Sequence, residues 1–182
     1  MARLPYVDPA SAPEHVHEVL DRLPVNLNVF RMMAHAETNF RPLVLLGTSI
    51  LSQQKLSPKL RELAILRVAS LSPARYEWVQ HVPIAQATGV SVAQVAALER
   101  GDIAAGAFDP LERAVLRFTT EVVRDVRASE ATFAELARRL SAQEVVELIL
   151  TVGYYMMIAR LLETTAVDLD PPAGTKVVDA IR

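Results

Sequence analysis

Residues 56–91 read LSPKLRELAILRVASLSPARYEWVQHVPIAQATGVS, and this stretch decides the fold. Ser57-Pro58 and Ser72-Pro73 each place a capping residue before a proline, which is a typical start of a helix. The first helix carries apolar side chains on every side of its wheel between Leu60 and Ala69, so we expect it to be buried all round. The very short turn between the two helices predicts an adjacent, roughly antiparallel pair.

Helix signals continue on both sides of this pair. Capping boxes begin at Ser91 and Ser141, and Asp109-Pro110 opens a further helix. With only six glycines and no sustained alternation of apolar and polar residues, strands are not indicated. The sequence predicts an all-α fold of seven or eight helices, in which Pro83 should bend the second helix of the pair or end its regular part.

The 182 residues suggest one domain spanning 1–182. We expect residues 1 to about 25 to form an extended arm with room for one short helix, and the tail from about 168 to 182 to be irregular. Apolar residues make up 51% and charged residues 22%, which argues against global disorder. The net charge of -2 and the lack of a basic stretch make nucleic acid an unexpected partner.

The chain contains no cysteine, which excludes disulfides, thiolate metal sites and cysteine nucleophiles. The N-terminus lacks the apolar run of a signal peptide. The most apolar stretch, Leu148–Ala159, is shorter than the about 20 residues that a membrane span needs. We therefore expect a cytoplasmic protein without a membrane partner.

Two acidic residues and one histidine are the candidate catalytic groups. Glu62 lies on the buried helix, where a carboxylate needs a partner or a raised pKa; an ion pair with Arg61, Arg67 or another chain is the structural alternative. His81 follows Glu77 by four residues on one helix face, so Glu77 can set the imidazole's charge and suit it to general acid catalysis. A core histidine satisfied by Glu77 is the alternative there.

The hairpin geometry brings Glu62 and His81 together. Each lies about nine residues from the turn, and at about 1.5 Å of rise per residue both reach a similar height. We therefore predict that these two side chains meet in one pocket.

Candidate substrate contacts are Arg61, as an anion holder, and Tyr76 and Trp78, which flank Glu77. Tyr154-Tyr155-Met156-Met157 on the last long helix suit either an apolar pocket or core packing. The histidines do not form a ligand cluster by spacing, and no zinc, Walker or dinucleotide motif is present, so we expect no metal or cofactor.

The stretch 56–91 resembles the carboxymuconolactone decarboxylase family of the alkylhydroperoxidase-D-like superfamily. The resemblance rests on LRELAILRVA, YEWVQH and IAQATGVS, extends to NVFRMMAHAETNFRPLVLLG, and covers about residues 25–165. It implies an all-α fold whose protomers form trimers or hexamers. Because the first helix of the pair has no polar face, we also predict a homo-oligomer in which a neighbouring chain partly buries residues 57–71.

The resemblance also bears on the chemistry. The redox-active branch has two cysteines before the histidine, and here Ala74 and Glu77 occupy those positions, so thiol peroxidase activity is not implied. The glutamate nineteen residues before the histidine is present as Glu62, which implies site roles for Glu62 and His81.

The resemblance implies a cofactor-free decarboxylase acting on a small carboxylated lactone or related organic acid. Another proton-transfer reaction on the same site, such as isomerisation or hydrolysis, is one alternative. A non-catalytic oligomer that has lost the redox thiols is another.

Overall fold

The computed structural model describes residues 1–180, and within them the chain is all-helical, as predicted. A 3-10 turn at Pro9–Ser11 precedes α1 (Glu14–Asp21), α2 (Asn28–Met33), α3 (Glu37–Ser52), α4 (Pro58–Leu71), α5 (Arg75–Ala87), α6 (Val92–Glu99), α7 (Pro110–Asp125), α8 (Glu130–Ala137), α9 (Ala142–Thr165) and α10 (Gly174–Ala180).

These ten helices exceed the seven or eight expected, because α1 forms within the predicted arm and α10 within the predicted tail. Both are short helices that bury apolar residues, for example Leu20 and Val178, against the rest of the chain. The tail is therefore partly helical rather than irregular, and its last positions, 181–182, lie outside the described residues.

Helix α4 forms the centre of the fold. The Ser57 side chain accepts a hydrogen bond from the Leu60 amide and caps the helix, as predicted. Leu63, Ile65 and Leu66 have no exposed surface, because α5, α7 and α9 pack around the helix. The chain itself supplies this cover for residues 60–69, so their burial requires no neighbouring protomer and gives no indication of assembly.

Helix α5 continues through Pro83 to Ala87, so this proline does not end the helix. Proline removes one backbone N–H and crowds the carbonyl one turn earlier. Packing of α5 against α4 and α10 holds the helix on both sides of that defect. Pro42 is accommodated inside α3 in the same way.

The two ends of the chain are tied to each other. The Tyr6 hydroxyl donates to Asp168 Oδ2 at 3.0 Å, and the Asn28 amide donates to Asp170 Oδ2 at 2.7 Å. The Gln80 side chain of α5 then bonds the backbone of Pro171 and Ala173, at 3.1 and 2.9 Å. Arm and tail are thereby held against α5.

Helix α9 is long and apolar enough to cross a membrane by length and composition alone. It packs against α3, α4, α7 and α8 and buries residues such as Leu148 and Val152 completely. Its opposite face leaves Val146, Ile149 and Leu150 exposed.

Candidate functional site

Glu62 and His81 are in direct contact, which confirms the predicted meeting of the two helices of the hairpin. Glu62 has no exposed surface, and its Oε2 lies 2.9 Å from His81 Nδ1. Its other oxygen, Oε1, accepts a hydrogen bond from Arg61 Nε at 3.1 Å. The carboxylate is thus held between a guanidinium and an imidazole.

This contact determines which nitrogen of His81 is available for chemistry. A carboxylate that already accepts from Arg61 binds Nδ1 best when that nitrogen carries the proton. Nδ1 is then committed to Glu62, and Nε2 is the nitrogen that can meet a ligand. A carboxylate on the far side of an imidazole also stabilises the charged ring.

His81 lines a cavity of about 310 Å³ between the central core and the helices of the N-terminal third. Most of its wall is apolar and includes Met33, Ile158 and Leu162. Glu62 is not part of that wall and supports His81 from behind.

Two tyrosines of α9 shape the cavity beside the histidine. The Tyr155 ring packs edge-on against His81, with 4.8 Å between centroids and an interplanar angle of 87°. Burial raises the pKa of the Tyr155 hydroxyl well above its ordinary value, so it stays protonated. The Tyr154 hydroxyl donates to the Leu43 carbonyl at 3.2 Å, and burial, reinforced by Glu77, raises its pKa to about 12. These side chains line the cavity in addition to packing in the core.

Glu77 also lines the cavity, with only 2% of its surface exposed. It was expected to set the charge of His81, but neither of its oxygens has a hydrogen-bond partner among residues 1–180. The carboxylate that is hydrogen-bonded to His81 is that of Glu62 instead. Burial, with a smaller contribution from the negative charge of Glu163, raises the pKa of Glu77 well above its ordinary value.

The three predicted substrate contacts have different locations. Tyr76 lines the cavity and donates its hydroxyl to Asp170 Oδ2 at 2.5 Å. Arg61 is buried against Glu62 and the Ile50 carbonyl and is not part of the cavity wall. Trp78 is partly buried against small residues of α4 and α9 and also lies outside that wall.

Other residues of the wall had not been identified from the sequence. Arg22 and Arg41 are exposed cations at its edge, contributed by the end of α1 and by α3. Gly174 and Val177 bring α10 into the wall. Nothing in the local sequence connects these positions with His81, because the tertiary fold alone brings them together. No group of three or more His, Asp or Glu side chains within residues 1–180 has the arrangement of a metal site.

The sequence model of the carboxymuconolactone decarboxylase family matches residues 39–121, which include Glu62 and His81. No curated protein matches the chain. Several solved structures share its fold.

One of these structures is described as an alkylhydroperoxidase AhpD core, an uncharacterized peroxidase-related protein from Ralstonia eutropha JMP134. It is 19% identical, with a TM-score of 0.78, over 100% of this chain and 97% of that one. A peroxidase-related protein from Silicibacter is 17% identical, with a TM-score of 0.78, over 100% and 96%.

The debrominase Bmp8, solved with 2,3,4-tribromopyrrole, is 18% identical, with a TM-score of 0.76, over 100% of both chains. At identities of 17–19%, these three matches show a shared fold and nothing more. Residues 39–121 of this cysteine-free chain thus match the carboxymuconolactone decarboxylase family, and residues 1–180 have the AhpD-like fold.

Proposed function

We propose that this protein is a cofactor-free decarboxylase-type lyase for a small carboxylated lactone or related organic acid. The observation that carries the proposal is the placement of His81: its ring lines an apolar cavity while Nδ1 is held by the buried Glu62. The family match over residues 39–121 supports the reaction class.

The proposed reaction requires an electron sink and one proton. The bond between the ring carbon and the carboxylate breaks, and CO₂ leaves. The bonding electron pair flows through the ring alkene into the lactone carbonyl and forms a dienolate. Nε2–H of His81 then delivers a proton to carbon, and the imidazole recovers a proton from water. Glu62 stabilises the protonated ring and fixes its orientation, while Tyr155 holds the ring edge-on.

The cavity supports loss of a carboxylate. Its apolar interior solvates that charge poorly, which favours conversion to neutral CO₂. Arg22 and Arg41 supply positive charge at the exposed edge of the wall, where an organic acid would enter. Arg61 cannot do so, because it is buried against Glu62.

A proton-transfer isomerase is the second candidate, and the presence of two proton-carrying groups in one wall favours it. His81 and Glu77 both line the cavity, and an isomerase needs one group to remove a proton and another to return it. The solved Bmp8 complex contains a small halogenated ring in the same fold. This chain has no cysteine, so it cannot use a thiol to react with such a ring.

The experiment is an assay in D₂O with a panel of carboxylated unsaturated lactones and their open-chain acids. We expect CO₂ to appear in equal amount with a product that carries one solvent deuterium on carbon. Deuterium exchange or a shifted double bond without CO₂ would support the isomerase instead. If His81→Ala turned over as fast as the wild type, both proposals would be wrong.

A further inference from the structure

The Glu77 carboxyl is the unexplained polar group of the cavity. Its two oxygens are the buried side-chain atoms without a hydrogen-bond partner in the part of the chain that the structure describes. The other buried acids are satisfied: Glu62 bonds Arg61 and His81, and Glu112 bonds Lys59 and Gln94. A buried polar group without a partner is costly, so such a group in a cavity wall is a strong indication of a ligand contact.

The surroundings of Glu77 determine what kind of partner it can take. It lines the cavity one helical turn before His81. Glu163 on α9 acts on its charge. The titratable side chains that share this wall are Arg22, Arg41, Tyr76, His81, Tyr154 and Tyr155. Among residues 1–180, no guanidinium or ammonium is hydrogen-bonded to its oxygens. Burial and the negative charge of Glu163 both raise its pKa. A neutral carboxyl has an O–H to donate.

We propose that Glu77 is a ligand-binding residue that donates a hydrogen bond to an acceptor oxygen of the bound molecule, a carbonyl, lactone or enolate oxygen. The assignment of that oxygen to a lactone rests on the proposed function, whereas the donor site itself rests on the unpartnered carboxyl. This hydrogen bond would also assist the proposed reaction, because a donor at the lactone carbonyl would stabilise the dienolate more than the starting lactone.

The alternative chemistry for a buried, unpaired acid is to bind a cation. A charged Glu77 would select an amine, and a neutral Glu77 selects an oxygen acceptor. The two cases therefore predict opposite ligand preferences, and simple ring compounds separate them without any reaction taking place.

The test measures binding of three small rings by NMR titration: γ-crotonolactone, which carries the acceptor, cyclopentene, which lacks it, and pyrrolidinium, which carries a positive charge. None has a carboxylate to lose, so the result does not depend on lyase activity. We expect the wild type to bind the lactone about tenfold more tightly than cyclopentene, as one hydrogen bond in a dry site provides. Glu77→Gln keeps an N–H donor and should retain most of the preference. Glu77→Met fills the same space without a donor and should abolish it.

Glu99→Gln is the matched control, because it removes an exposed acid on α6, outside the cavity wall, and should leave the lactone preference unchanged. A second measurement needs no titration series. The infrared C=O band of a protonated carboxyl should be present in the wild type near neutral pH, shift when γ-crotonolactone is added, and be missing from Glu77→Gln.

The proposal is overturned by any of four results: an undiminished lactone preference in Glu77→Met, tighter binding of pyrrolidinium than of the lactone, no lactone binding up to its solubility limit, or no protonated-carboxyl band. A lactone preference in a protein that releases CO₂ from no carboxylated lactone would leave the donor site standing and remove the decarboxylase proposal. Decarboxylation without a Glu77-dependent preference would do the reverse.

Discussion

Gly174 lies so close to the backbone carbonyl of Gln80 that a Cβ at position 174 would be 2.5 Å from that oxygen. The contact brings the first turn of α10 onto α5, and both Gly174 and Gln80 line the cavity. A side chain larger than hydrogen would push α10 away from α5. The close contact between Gly174 and Gln80 therefore determines whether α10 closes its part of the cavity wall.

Gly174→Ala should displace α10 and open the cavity. Overpacking of this kind costs about 1–3 kcal/mol of unfolding free energy. Urea unfolding and hydrogen exchange of the α10 amides would measure both effects. Gly153→Ala is the control: it lies in helix α9 with nothing within 4 Å of an added Cβ, and should be neutral or stabilising. Equal behaviour of the two variants would contradict the role given to the Gly174 contact.

His81→Ala should abolish turnover while leaving the fold intact, because Glu62 keeps its ion pair with Arg61. Circular dichroism and the unfolding midpoint would check the fold, and the CO₂ assay the activity. Retention of wild-type turnover would remove His81 from the mechanism.

Glu62→Gln should lower turnover by roughly 10²-fold or more, because the amide no longer stabilises a charged imidazole. It should also destabilise the protein by about 3–5 kcal/mol, since Arg61 would keep a buried charge without a carboxylate. The pH profile of turnover should also change, because the carboxylate that holds Nδ1 of His81 is removed. A variant with an unchanged pH profile would show that Glu62 is structural only.

Glu77 should make stability depend on pH. Its folded-state pKa is raised above the unfolded value of about 4.3, so the folded state holds the proton more tightly than the unfolded chain. As pH rises between those two pKa values, the unfolding free energy should fall by up to about 1.4 kcal/mol per unit. Urea unfolding should therefore show that the stability of Glu77→Gln rises relative to the wild type as pH increases above about 4. Parallel profiles would contradict a raised pKa.

No thiol-dependent peroxidase activity is expected, although similar folds are described as peroxidase-related. Ala74 and Glu77 occupy the positions that the resemblance assigns to two thiols, and the chain has no cysteine at all. Hydrogen peroxide and a dithiol reductant should be consumed at the rate of the protein-free blank. Faster consumption that survives removal of trace metals would overturn this expectation.

Self-association as a trimer or hexamer remains a proposal, and the exposed apolar face of α9 is now its best support. Val146, Ile149 and Leu150 are exposed on one side of that helix. Light scattering at micromolar concentration should show more than the 20.0 kDa of one chain, and Ile149→Glu should dissociate the assembly. A wild-type monomer would contradict the proposal.

The helix pair and its Glu62–His81 contact were predictable because their signals are local. The Ser57-Pro58 start and the short turn determine the relative height of residues nineteen positions apart. The predicted start at Ser72-Pro73 was wrong, because Ser72 ends α4 and α5 begins at Arg75. The ion pair between Glu62 and Arg61 could also be expected, since the two residues are adjacent in sequence. The distribution of apolar residues around α4 could not show whether the same chain or a neighbouring chain buries them.

The cavity wall was less predictable, for a physical reason. Arg22, Arg41 and Gly174 reach it through contacts between distant parts of the chain, which no local pattern encodes. Helix α10 begins at a glycine and is only one or two turns long, so its intrinsic signal is weak and packing on α5 stabilises it.

The hydrogen bonds that tie the arm to the tail have a consequence for how such a protein diversifies. Glu62 and His81 are contained in one hairpin, whereas residues next to these hydrogen bonds, such as Val29 and Gly174, line the cavity. Substitutions at the chain ends can therefore reshape what enters the cavity without disturbing Glu62 and His81. In evolutionary terms, the hairpin can be retained as one unit while the termini change, so the termini are where new ligand preferences can arise.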